Sequence, residues 1–577
     1  MAIRKRLAAP RRVSDSEAVC MSRERGTTPH EVPMLEQLGG TVETDVRDVV
    51  EAIEVNDRRW KVLIVLCVAV FAINVDTTIV NVALPTLIKQ LGSSTSGLQW
   101  VVDAYNLAFA ALVLAAGSLS DRFGRKGALM SGLVIFGVAT TAGAFGTTTG
   151  QLIMARVAMG IGAAIIFPNT LSILTNVFHD RAERAKAIGA WGATTGMAVA
   201  FGPIIGGWLL EHFWWGSVFL AMAPAAAIAL VLVIFIVPPS RDPGAPRLDG
   251  PGLVLSTVSI GLLIYTIIEA PQRGWGSPGT VAGFAGALVA LVAFVLWERR
   301  VEEPMLDVEL FKNLRFSAAS GAISVAFFSL FGFIFLVTMY FQLMHGYSPF
   351  ATGVRLLPVA FGMGIASGLG PTLAVKVGNK IVVGAGLGLL AGFLVWLSTS
   401  SATTSYLQTV GQMLVGSVGI GLSTVPATEA IMGVIPKAKA GVGAAVNDAN
   451  RLFGGTLGVA VIGSVFVSIY VHAIATSRAA TVIPSSILAQ SKASIGGALI
   501  AAHKLAESNP HAAGLLTASA HRAFFDGFQV GCLVAAGVAL VGAIFVVIFL
   551  PAFPIQSADE ELADLVQADR AKALDVS

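Results

Sequence analysis

The feature that most constrains this chain is a succession of long apolar stretches, near residues 61–84, 100–118, 127–146, 150–175, 185–210, 216–237, 250–269, 280–297, 316–342, 350–374, 380–399, 404–432, 441–470 and 526–550. Each approaches the roughly 20 apolar residues that a helix needs to cross the hydrocarbon layer, and none has the short alternating pattern of a membrane barrel strand. The predicted fold is therefore an all-α polytopic membrane protein with about fourteen transmembrane helices. Charge agrees: 13% of the 577 residues are charged, against roughly 25% in a soluble domain. A formal net charge of +3 offers no surface for nucleic acid. Cys20, Cys67 and Cys532 lie far apart, and His472, His503, His511 and His521 have no ligand spacing, so neither disulfides nor a metal site is expected. The chain also has no G-x-x-x-x-G-K-[ST] phosphate loop. That argues against ATP hydrolysis, and against an enzyme, and leaves an ion gradient as the energy source with no cofactor.

Orientation follows from the loops, because cytoplasmic loops hold the excess of Lys and Arg. One set of turns carries Arg122, Arg125, Lys126; Arg181, Arg184, Lys186; Arg241, Arg247; Arg299, Arg300, Lys312, Arg315; Lys376, Lys380; and Lys437, Lys439. The alternate turns offer little beyond Lys89 and Arg273. Both termini are thus expected in the cytoplasm. Residues 1–59 read as a cytoplasmic tail and 551–577 as an acidic cytoplasmic helix.

The turn "GSLSDRFGRK" at residues 117–126 has an echo: "LSDRFGRK" from Leu119 aligns with "LAVKVGNK" from Leu373, with Asp121 replaced by Val375. Both copies fall between the second and third helices of a six-helix block if spans seven and eight are an insert. The expected organisation is a six-helix bundle at 60–238, a two-helix insert with linkers at 239–315, and a second bundle at 316–550 related by pseudosymmetry. Residues 471–525 form a long outer loop whose helices are expected to lie on the membrane surface.

Ionisable residues within spans cost about 2.5 to 3.5 kcal/mol each, so they need a partner or a purpose. Asp76 and Arg156 both fall in the middle-to-outer part of the bilayer and could pair, either as a fixed brace or as a proton site. Glu429, Asp448 and Arg451 lie at similar depth and form a possible second cluster, with an Asp448–Arg451 turn pair as the simpler reading. Asp103 and Arg355 read as ordinary boundary charges. The series Gly192, Gly196, Gly202, Pro203, Gly206 and Gly207 permits close helix approach and a bend.

Five segments in order resemble the major facilitator superfamily and its fourteen-helix drug/proton antiporters. They are "DTTIVNVALP" from Asp76, "GSLSDRFGRK", "RVAMGIGAA" from Arg156, "GATTGMAVAFGPIIGG" from Gly192 and "NDANRLFGGTLGVAVIG" from Asn447. The resemblance covers about residues 60–550. It implies proton coupling through Asp76 and Arg156, with Glu429, Asp448 and Arg451 as further candidates. It also implies a cytoplasmic latch made of Gly117, Asp121, Arg122, Gly124, Arg125 and Lys126. In that latch Asp121 meets the positive helix end near Ala440–Gly443. The glycine series becomes a seal characteristic of antiport, and Asn81, Tyr105, Asn106, Phe167 and Tyr340 are expected along the substrate path. The expected function is proton-coupled efflux of small amphipathic compounds by a monomer among membrane lipids. Export of lipids or their precursors is the alternative, and a non-transporting scaffold or sensor is the third reading.

Overall fold

The computed structural model describes residues 32–178, 180–241, 249–302, 304–435 and 440–552, and all regular structure in them is helical. The basic run near residue 5, Arg247, Lys437, Lys439 and the acidic tail lie outside these residues. The chain divides after Trp60 into two units, and the description below concerns the unit from Lys61 onward.

Among the described residues, thirteen helices are long and apolar enough to cross a membrane, and a bent fourteenth joins them. In chain order they are α1 (Val32–Leu91, apolar over Arg59–Leu91), α2 (Thr95–Phe123, bent by 51° after Val113), α3 (Arg125–Ala144) and α4 (Thr149–Val177). Next come α5 (Arg181–His212), α6 (Ser217–Ile236), α7 (Gly250–Arg273), α8 (Pro278–Glu298), α9 (Leu314–Met344) and α10 (Pro349–Val377). The last are α11 (Asn379–Ser398), α12 (Tyr406–Met432), α13 (Ala440–Ala475), two short helices α14 (Ser485–Ala493) and α15 (Ile495–Ala506), and α16 (Pro510–Phe549). α1 starts before the expected residue 61 because no proline interrupts residues 34–60.

The echo seen in the sequence has a backbone counterpart. Gly124 ends α2 with φ 122°, and Gly378 ends α10 with φ 90°, a region that side-chain-bearing residues avoid. Each donates its N–H to the carbonyl four residues back, Gly124 to Ser120 at 2.9 Å and Gly378 to Ala374 at 2.8 Å. Gly274 ends α7 with a similar cap, but only Gly124 and Gly378, 254 residues apart, lead directly into the next helix.

α4 packs on α2 and α3, and α12 on α10 and α11, while α13 and α16 close on α9. We call the end bearing the Arg122–Lys126 turn the basic end and its opposite the far end. Among the described residues, the hydrogen bonds between the first six and last six spans all lie at the far end. Gln99 on α2 donates to the carbonyls of Val459 and Ala460 on α13, at 3.2 and 3.1 Å. Gln342 donates to Val82 O at 2.9 Å, and Thr95 to Ala493 O at 3.4 Å. Backbones also meet there: a β-carbon at Gly207 would fall 2.5 Å from Phe350 Cα, and one at Gly353 would fall 2.2 Å from Pro203 O. The insert joins this seam. Ile264, Ile267 and Ile268 of α7 pack on Ala460, and Ser464 donates to Ile267 O at 2.8 Å.

The long loop differs from expectation. α15 packs one face on protein: Ile495, Ala498, Ala501 and Ala502 are buried, and Gly496 meets Ile88 of α1. Surface helices bury large apolar side chains in lipid, whereas this face is made mostly of Gly and Ala and fits only against a neighbouring helix. The loop is also shorter than expected, because α16 begins at Pro510, capped by Asn509.

Candidate functional site

Arg156 projects from the second turn of α4 toward α1 and α2. Its neighbourhood is set by Gly160, one turn later, where a β-carbon would fall 2.5 Å from Tyr105 O. With no side chain at Gly160, α2 and α4 touch through their backbones. Arg156 Nε can then donate to Val101 O at 2.9 Å while Nη1 reaches Asp76 Oδ2 at 2.5 Å. The guanidinium lies 4.3 Å from the centre of the Tyr105 ring, whose hydroxyl donates to Ile73 O at 3.1 Å. Asp76 and Arg156 are 0% and 1% exposed, so the pair is fully removed from solvent. One Asp76 oxygen, Oδ1, has no hydrogen-bond partner. The site therefore holds a compensated charge pair with one spare acceptor oxygen.

The second cluster assembles only in part. Arg451 Nη1 lies 3.4 Å from Asp448 Oδ1 on the same helix, and its guanidinium sits 4.6 Å from the centre of the Phe327 ring. Glu429 does not join them; it is exposed on α12. Thr428 takes the position facing α13, its hydroxyl bonded to Asn447 Oδ1 at 3.1 Å. The next residue on a helix points about 100° away, which carries Glu429 off that face.

Asp121 is engaged within its own turn. Its carboxylate accepts from Arg125 Nε at 2.6 Å, four residues along. Lys126 donates to Ile234 O, and Arg125 N to Ser240 O, both at 2.9 Å, tying the turn to the end of α6. Arg122 is exposed, and Gly117 packs on Pro168. The side chains of residues 440–442, the expected partner region, lie outside those described. Among the described residues, Asp121, Arg125 and Lys126 thus find their partners inside the first bundle.

The glycine series splits in two. Gly202 and Gly206 let α5 press on Thr78 and Ile79 of α1, and Gly207 meets α10, whereas β-carbons at Gly192 and Gly196 would meet nothing within 4 Å. Only the far-end part is in contact.

Of the expected path residues, Tyr105 belongs to the charge-pair site. Phe167 stacks near Phe109 and Trp191, with ring centres 5.7 and 5.1 Å away. Asn81 and Asn106 are buried, each with an unpartnered Oδ1. Tyr340 is not beside them. It packs on Phe528 and donates to Ser401 O at 3.0 Å, within the second half.

Asp103 is the residue that sequence reasoning missed. It is 0% exposed, and neither carboxylate oxygen has a partner. Gln99, Asp103 and Asn106 share one face of α2, and Gln99 shows that this face meets α13. A polar residue every three or four positions along "LQWVVDAYN" was the available signal. Arg355, by contrast, rests on the Tyr347 and Tyr406 rings, 4.0 and 5.2 Å from their centres.

Residues 66–459 match the Major Facilitator Superfamily. The chain is 35% identical over 403 residues to the multidrug resistance protein Stp of Mycobacterium tuberculosis, covering 70% of this chain and 75% of that protein. It is 33% identical to the multidrug efflux pump LfrA of Mycolicibacterium smegmatis, over 84% and 95% of the two chains. The tetracenomycin C resistance and export protein of Streptomyces glaucescens is 31% identical, over 87% and 94%. Among solved structures, a bacterial homologue of the human lysosomal transporter Spinster, inward-facing and occupied, superimposes with a TM-score of 0.60. It does so at 16% identity, over 86% of this chain and 97% of that one, and so speaks to the fold alone. The chain is a multi-pass membrane protein of the Major Facilitator Superfamily, a family of transporters rather than enzymes, and its relatives there include drug-resistance and multidrug efflux proteins.

Proposed function

We propose that this protein is a proton-coupled antiporter that exports small amphipathic compounds by alternating access. The observation that carries the reading is the buried Asp76–Arg156 pair with its spare Asp76 oxygen, in a chain whose relatives include multidrug efflux pumps. In this reading the basic end and both termini face the cytoplasm, and the membrane is the bacterial inner membrane. Protonation of Asp76 loosens its hold on Arg156, so α1 and α4 are freed to move relative to one another. Closing the basic end would bring Gly192 and Gly196 into contact and pass Asp121 from Arg125 to the start of α13, while the Gly207–Phe350 contact opens. An exchange of one proton for a neutral compound moves one charge, which about 100 mV drives with roughly 2.3 kcal/mol. Asp448 and Arg451 are a second candidate for coupling; Glu429, exposed and apart, takes no step in this scheme.

Lipid export is the second reading. It is favoured by a groove lined by Leu63, Ile64, Cys67, Val68 and Phe71 of α1 with Ala190 and Thr194 of α5, whose accessible surface is apolar.

Reconstitution in liposomes under an imposed pH gradient tests both, with cationic dyes, neutral drugs and labelled lipids as cargo. Gradient-driven flux of a dye or drug is expected. It should fall to background in Asp76→Asn, while binding of the cargo persists. Flux of lipids alone selects the second reading, and no driven flux of any cargo overturns both.

A further inference from the structure

The two-helix insert carries a pair of carboxyl groups that transport does not explain. Asp249 caps the start of α7: its Oδ1 accepts from Gly252 N at 3.0 Å and from Trp297 Nε1 at 2.8 Å. Glu298 ends α8, and its Oε2 accepts from Leu306 N at 3.3 Å, in the linker that leads to α9. The two residues are 8% and 3% exposed, and each has one oxygen without a partner, Asp249 Oδ2 and Glu298 Oε1. Those two oxygens converge. A β-carbon at Gly252 would lie 2.2 Å from the first and 2.8 Å from the second, so they are at most 5.0 Å apart, over the space that a side chain at residue 252 would fill.

Two ionised carboxylates this close and this buried repel each other, and among the described residues no cation pairs with either of them. The other charged group acting on Glu298 is Asp307 in the linker, which is also negative. Arg299, which follows the end of α8, is exposed, and it acts on Glu309, whose carboxyl the hydrogen bond from Lys312 holds below the usual carboxylate range. Asp249 already accepts two N–H bonds, which favour its ionised form. Glu298 accepts a long one from Leu306 N at 3.3 Å, with the neighbouring Met305 backbone also acting on it.

We propose that Asp249 and Glu298 form a binding site for one proton, carried on Glu298 Oε1 and facing Asp249 Oδ2. The site ties together three segments: the start of α7, the end of α8 and the linker at Leu306. Loss of the proton to solvent leaves two facing negative charges and releases that tie. The site is separate from Asp76, so it responds to pH at the basic end whether or not cargo moves.

The folded pair binds its proton more tightly than the unfolded chain does. Its contribution is therefore present at low pH and lost as pH rises through the folded-state titration, within roughly pH 4 to 9. The test uses the full chain in lipid nanodiscs, with thermal unfolding and the infrared carboxylic-acid C=O band followed against pH. The wild type should lose about 2 °C or more in Tm as pH rises through that range. Glu298→Gln, which keeps shape and hydrogen-bonding capacity, should remove both that loss and one component of the band; Asp249→Asn should remove the loss in Tm. A pH slope and band unchanged in both variants overturn the proposal. So does a wild-type Tm that rises with added Na⁺, Mg²⁺ or Ca²⁺ but not in the variants, because the site would then hold a metal cation.

Discussion

Among the described residues, each half of the molecule has one carboxylate–arginine pair set away from its helix ends, and the two are built in opposite ways. Asp76 and Arg156 come from different helices and are both sealed from solvent. Asp448 and Arg451 come from successive turns of α13, with the arginine side chain 34% exposed. A pair within one turn forms wherever its helix forms, so it carries no information about how helices are arranged. A pair across helices exists only while both are in place, and can therefore be made or broken by their movement. The first half is thus the one equipped to link protonation to rearrangement.

Removing the arginines separately gives the largest contrast. Arg156→Ala strands a buried carboxylate and should cost about 3 to 5 kcal/mol, whereas Arg451→Ala should cost under about 1 kcal/mol. Thermal unfolding in nanodiscs measures both, and equal losses would erase the distinction between the pairs. The support beneath the first pair comes next in size. Gly160→Ala forces a β-carbon against Tyr105 O and should cost about 1 to 3 kcal/mol, with lower flux as Arg156 shifts. Gly192→Ala, in open space, should stay within about 0.5 kcal/mol. The effect on stability at the charged turn should also be small. Asp121→Asn removes a local pair worth about 0.2 to 1 kcal/mol, so protein levels in the membrane should hold while flux falls. Undiminished flux in that variant would remove Asp121 from the switching scheme.

The spans and the superfamily were legible because hydropathy, loop charge and ordered motifs are properties of the chain itself. The Asp76–Arg156 pairing was legible as a possibility, from depth alone. What was hidden depended on neighbours. Asp103 read as a boundary charge because α2 was expected to start at residue 100; the helix starts at Thr95, which puts Asp103 well inside, and α13 faces its side of α2. Glu429 matched Asp448 in depth, but depth does not fix rotation about a helix axis. "RVAMGIGAA" contains two glycines, and the motif alone does not reveal that Gly160 is the one meeting Tyr105 O. The loop helices were read as amphipathic, yet their small-residue face needed a protein surface that hydropathy does not show.

The far-end seam is closed largely by side chains that donate to main-chain carbonyls: Gln99 to Val459 and Ala460, Gln342 to Val82, Thr95 to Ala493. A carbonyl is supplied by every residue type, so the accepting positions can drift in sequence without weakening the seam, within the limits of packing. The donors cannot. Mutational tolerance across this interface should therefore be lopsided, with Gln99 and Gln342 fixed while Val82, Val459 and Ala493 exchange among residues of similar size.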